Sequence, residues 1–197
     1  MNQHCQRHTL GVYFTRKEIL IVSSLYLYYD QGVYMGKIIK DGFAFMEYVN
    51  SGLIRKIDDI PELKNKLITL SELKTHIEMS KYALLLAEHI LNVSGIERSA
   101  AIEECFTINT KWQDREAKVQ DARQVAGMIN SLAREEKNLI KAKVLRAMGQ
   151  VAATPHVKWH ALVASEYAIV IINLMYPKNF DKVKEERELQ IELVKNV

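Results

Sequence analysis

His156 and His160, in "TPHVKWHALVASEY", stand four residues apart, a spacing that lets two imidazoles on one helical turn face a single metal ion. Glu166 falls on another face and no His-Glu-x-x-His pattern is present, so no third ligand follows. The pair reads as an exposed His156 near a helix start and a His160 packed at the edge of a core. The run "HCQRH" at His4–His8 brings a soft thiolate and two imidazoles together, but in a polar terminal stretch where such a grouping is incidental. Glu103 and Glu104 adjoin Cys105. Neighbouring carboxylates on a helix point in different directions and make poor acid–base partners. Cys105 has no histidine close by to activate it and reads as a small core residue. Arg134, Lys137, Lys141, Lys143 and Arg146 form a basic cluster opposed only by Glu135 and Glu136. Such a cluster suits phosphate contact or, more simply, the solvated flank of a paired helix. The chain has no glycine-rich phosphate loop, dinucleotide fingerprint or Gly-x-Ser-x-Gly elbow. No catalytic residue, metal or cofactor is expected, and nothing in the sequence argues for an enzyme.

These residues must be carried by helices. In 197 residues there are only three prolines and eight glycines, against 48% apolar and 26% charged residues. That balance suits a soluble, mainly helical protein with room for a sizeable core. The formal charge of +3 permits a polyanionic partner without demanding one. Cys5 and Cys105 form no spaced motif, which favours a reducing, cytoplasmic setting over a disulfide scaffold. The apolar runs "EILIVSSLYLYY" and "EYAIVIINLMY" are about half the ~20 residues a membrane helix needs.

Along the chain, residues 1–13 read as a loose terminus. Thr15 and Glu18 fit a capping box for a helix reaching about Tyr29, and two short helices follow, around Tyr34–Lys40 and Gly42–Asn50. "LIRKI" and "KLITL" flank a polar segment with Asp58, Asp59 and Pro61. Two short strands fit there, and so does a short helix over residues 60–67 capped by Asp59. Thr69 and Glu72 fit a second capping box, predicting a helix to about Val93. A shorter helix follows from Ser94–Glu97 to about Phe106, then a long one from Thr110 toward Gln150, bent near Asn130. Trp112, Val119, Ala122, Ala126, Ile129 and Ala133 recur near a 3.5-residue period, the seam of a helix pair. Thr154-Pro155 predicts the start of an almost wholly apolar helix ending at Tyr176-Pro177, with a charged amphipathic helix after it.

"FTRKEILIVSSL", "GLIRKID" and "KLITLSELK" together resemble the winged-helix transcription regulators of the MarR and PadR type, over residues 14–75. In that family Gly-Leu-Ile ends the recognition helix and enters the first wing strand. A Lys-Leu-x-x-Leu strand then leads into a long dimerisation helix. The resemblance implies a winged-helix-like domain over 14–75 with a small β-hairpin at 53–70, followed by a helical dimerisation region over 76–197. It implies a dimeric, cytoplasmic regulator that binds double-stranded DNA. Arg55, Lys56, Lys64 and Lys66 would reach phosphates from the wing, Lys37 and Lys40 would clamp the backbone from a short helix, and Tyr48 and Asn50 would be the polar readers. The would-be recognition helix "DGFAFMEYVNSG" has no Arg, Lys, Gln or Thr, which directs the expected contacts to the phosphate backbone. A second expectation comes from the helix-pairing surface at 112–133 and 155–175: a helical oligomeric interaction or assembly protein that binds no nucleic acid and could meet a protein partner through its C-terminal helices.

Overall fold

The computed structural model describes three strands within residues 26–48 and the continuous stretch 57–197. The strands are β1 (Tyr26–Asp30), β2 (Val33–Lys40) and β3 (Phe43–Tyr48), in the order β1-β2-β3. Both pairings are antiparallel; Asp30 faces Val33 and Lys40 faces Phe43, so two residues join each pair. The two short helices expected at 34–40 and 42–50 are therefore corrected to strands, and Tyr26–Tyr29, expected to end a helix, lie in β1. The physical reason is in the residues. "YLYYD", "VYMGKIIK" and "FAFMEY" are dense in aromatic and β-branched side chains, which favour pleated backbone. Gln31-Gly32 and Asp41-Gly42 sit between them, and Asp-Gly between two such runs is a strong hairpin signal.

Among the described residues seven helices follow: α1 (Pro61–Glu72), α2 (His76–Ser94), α3 (Ala100–Gln113), α4 (Val119–Glu135), α5 (Leu139–Ala153), α6 (His160–Met175) and α7 (Phe180–Lys195). The segment "KLITL" lies inside α1, which overturns the wing hairpin at 53–70. Pro61 opens the helix, where its missing N–H costs nothing, Glu62 sits in the first turn, and Leu67 is buried. The Asp59 carboxylate accepts a hydrogen bond from the Ile60 amide at 2.8 Å, beside the helix start. The capping box expected at Thr69 forms one repeat later. The Thr75 hydroxyl accepts from the Glu78 amide at 3.2 Å, and Glu78 accepts from the Thr75 amide at 2.7 Å. Gly95, in the left-handed region at φ 65°, ends α2.

The expected long helix from Thr110 is broken twice. α3 runs through to Gln113, and Arg115 takes a left-handed conformation at φ 65° before α4. Asn138 caps α5, accepting from the Lys141 amide at 3.0 Å. Ala122, Ala126, Ile129 and Ala133 are buried as the seam required, while Val119 is exposed. α4 packs most extensively against α5 of the same chain. The helices come close where Gly149 meets Asn130: a Cβ at 149 would sit 2.9 Å from the Asn130 side chain. The apolar helix begins at His160, not Thr154, because the Thr154 hydroxyl donates back to the Gln150 carbonyl at 3.2 Å and closes α5. α6 buries residues on every side, and α5 and α7 pack on it. Each such Val, Leu or Ile contributes about 1.5–3 kcal/mol relative to exposure.

Candidate interaction surface and the polar frame behind it

The helical body is held by two buried hydrogen-bonded chains, and what those chains occupy decides which side chains remain for a partner. The longer chain starts at Asp59, before α1. Its carboxylate takes a two-point contact from Arg187 on α7, Nε to Oδ1 at 2.9 Å and Nη2 to Oδ2 at 2.7 Å. Arg187 is 1% exposed. Burial raises the Asp59 carboxyl, but the hydrogen bonds and charge of Arg187 outweigh it and hold the group below the ordinary aspartate value. Arg187 Nη1 donates to Gln190 Oε1 at 2.7 Å, and Gln190 Nε2 donates to Glu186 Oε1 at 2.7 Å. Glu186 Oε2 lies 2.6 Å from His89 Nε2 on α2. Beside it, the Ser165 hydroxyl donates to the Ala161 carbonyl at 3.0 Å, so the contact of 2.7 Å between Tyr82 and Ser165 must be donated by Tyr82. Complete burial pushes the Tyr82 hydroxyl far up, which keeps it a neutral donor.

The shorter chain ties α2, α3 and α5. Gln113 donates to Ser80 at 3.0 Å, Ser80 donates to Asn109 at 2.8 Å, and Asn109 Nδ2 donates to the Val151 carbonyl at 2.9 Å. Buried polar groups cost free energy unless paired, and here the pairs also fix which helices meet.

The sequence-derived site residues do not gather into one place. Lys64 ion-pairs with Glu166 of α6 at 2.7 Å and is largely covered. Lys66, two residues on along α1, is exposed. Both sit on a helix rather than a wing. Lys37 and Lys40 lie on β2, not on a short helix, and Tyr48 of β3 stands opposite Met35 of β2 in the register. Asn50, Arg55 and Lys56 lie outside the described residues. His156 and His160 have ring centroids 6.3 Å apart, and His160 Nδ1 donates to Gln150 Oε1 at 2.7 Å. Among the described residues no three His, Cys, Asp or Glu are grouped to hold a metal ion. Cys105 is buried, and burial pushes its thiol far up. Among the described residues, no helix is long and apolar enough to cross a membrane.

Large apolar side chains stand exposed in several places, Leu73, Ile77 and Leu85 from the end of α1 into α2 and Phe180 at the start of α7 among them, and a further group lies beside basic residues on the α4–α5 hairpin. Met128 and Leu132 on α4 are 44% and 41% exposed, and Leu139 at the start of α5 is 56% exposed. Arg134, Lys137 and Lys143 lie around the same turn. Arg134 donates to Ser131 at 2.6 Å, and Lys141 pairs with Glu136 at 2.9 Å. Sequence reasoning found the basic residues but missed the apolar ones, since an exposed Leu at helical spacing looks like a core Leu until its neighbours are known. An open groove at the end of α2 is lined by Leu91, Gly95, Ile96 and Arg98. Arg98 is engaged there by Glu88 and Glu103 and stacks 3.9 Å over Phe106.

A family model described as "Imm-5 like putative immunity protein" matches residues 69–197. No curated protein and no solved structure matches the chain.

Proposed function

Because this chain belongs to the Imm-5 like putative immunity protein family, we propose that it acts as an immunity protein, docking on a toxic protein domain and blocking it through surface complementarity. The observation that carries this reading is the family match itself, which spans α2 to α7 whole. The structure supports it in a specific way. The buried polar side chains are spent on joining helices, while large apolar side chains stand exposed beside charges on α4 and α5. Exposed apolar residues rimmed by polar ones are what a protein partner desolvates on binding.

The test is protection. Protein domains encoded by the genes that adjoin that of this chain are expressed in a bacterial host, and those that arrest growth are expressed again together with the chain. The expected result is that growth is restored by co-expression and that chain and toxic domain elute as one complex. Continued growth arrest with every adjoining domain, at equal or greater amounts of the chain, overturns the reading.

A further inference from the structure

Charge is unevenly divided along the helical body. Residues 57–110 carry nine acidic and five basic side chains, residues 111–146 carry five acidic and nine basic, and residues 147–197 carry six of each. The excess of positive charge therefore belongs to the stretch that ends α3 and forms α4 and most of α5. Within it, Arg134 lies in the last turn of α4, Lys137 in the turn, and Lys143 one helical turn beyond Leu139. Among the described residues none of these three is in an ion pair. Leu132 and Leu139 stand exposed on either side of the same turn, with Met128 one helical turn before Leu132.

We propose that the turn end of the α4–α5 hairpin is the docking surface of this protein, and that its occupant is an acidic face of the toxic domain. The proposal rests on the immunity reading and adds to it the place and the chemistry of the contact. Three observations carry it. Positive side chains at the rim of an interface attract an acidic partner and speed its approach. The exposed Met128, Leu132 and Leu139 give the contact an apolar centre, which the phosphate backbone of a nucleic acid has nothing to match, so a protein occupant is favoured. Gly127, beside Met128, has open space where a Cβ would stand. Glycine in an exposed helix interior costs roughly 0.5–1 kcal/mol relative to alanine. Packing within the chain does not require it, and a bare backbone there lets a partner come close.

The test uses the full chain, the toxic domain against which it protects, and random-sequence duplex DNA as a second titrant. Three double variants are compared with wild type by calorimetry: Arg134→Glu with Lys137→Glu, Leu132→Ser with Leu139→Ser, and the control Lys66→Glu with Lys81→Glu. The control makes the same charge change on α1 and α2. All the substituted side chains are exposed, and thermal unfolding of each variant checks that the fold is kept. The expected result is a loss of about tenfold or more in affinity for both hairpin variants, greatest at low salt for the charge variant, with the control binding as wild type. Wild-type binding with both hairpin variants unimpaired overturns the docking surface and leaves the immunity reading standing. Failure of wild type to bind the domain overturns both. Duplex DNA binding that is lost in the charge variant, with binding of the toxic domain unchanged in both hairpin variants, makes the hairpin a nucleic-acid surface and overturns the proposal.

Discussion

Arg187 and Asp59 show how much a single pair controls. Arg187 is almost fully buried, and its charge is met on one side by Asp59. Removing one partner leaves the other uncompensated, so Asp59→Ala is expected to cost about 3–5 kcal/mol of unfolding free energy, measured by urea denaturation. Replacing both, Asp59→Ala with Arg187→Met, is expected to cost less than the single change. The same pair sets an acid limb. The folded-state value of Asp59 lies below its unfolded value, so the stabilisation is full above the unfolded value near 3.8 and is lost as pH falls through the folded one. Unfolding free energy should therefore drop more steeply below about pH 4 in wild type than in Asp59→Asn, measured by pH-dependent denaturation. Little of this was legible beforehand. Asp59 reads as a helix cap and Lys64 as a phosphate contact because their partners, Arg187 and Glu166, lie far along the chain. No local pattern announces a pairing of that range.

Helix ends were more legible than helix starts, for a reason that lies in the motifs. Thr-x-x-Glu occurs at both Thr69 and Thr75, and either can close a capping box. Packing chose the second, because it leaves Leu67 and Ser71 of α1 buried against the body. Thr75→Ala is expected to cost about 1 kcal/mol, read as a fall of roughly 2–4 °C in the unfolding midpoint. Gly127→Ala should act oppositely. It replaces glycine at an unobstructed helical position and is expected to raise stability by roughly 0.5–1 kcal/mol, seen as a higher midpoint. The strands were misread because "YLYY" and "FAFMEY" satisfy an apolar helix as readily as a strand when only apolarity is weighed. Their aromatic content, the β-branched residues of β2 between them, and the Asp41-Gly42 pair held the information. Of the 112–133 seam, Ala122, Ala126, Ile129 and Ala133 are buried on α4, which packs on α5, whereas Trp112 belongs to α3 and Val119 is exposed.

At the scale of the molecule, the mainly helical character was legible from scarce proline and glycine, and the basic cluster from the sequence run itself, though it was placed on one long helix and not on the α4–α5 hairpin. The chain of contacts from Asp59 to His89 was not, since it is assembled from three separate stretches. One apolar cluster joins α1 to α7 through residues 67–194. A chain begun at residue 57 is therefore expected to fold with a single cooperative thermal transition and a helical circular dichroism spectrum; a broad, non-cooperative melt would contradict this. The arrangement of the long polar chain has a further effect. Its members stand just before α1 and on α2, α6 and α7, and none is on α4. The residues that keep the body upright and those offered to a partner are thus different residues. Substitutions at 128, 132, 134 or 137 are therefore expected to cost the scaffold little, and under the proposed immunity reading they would let recognition change without rebuilding the body.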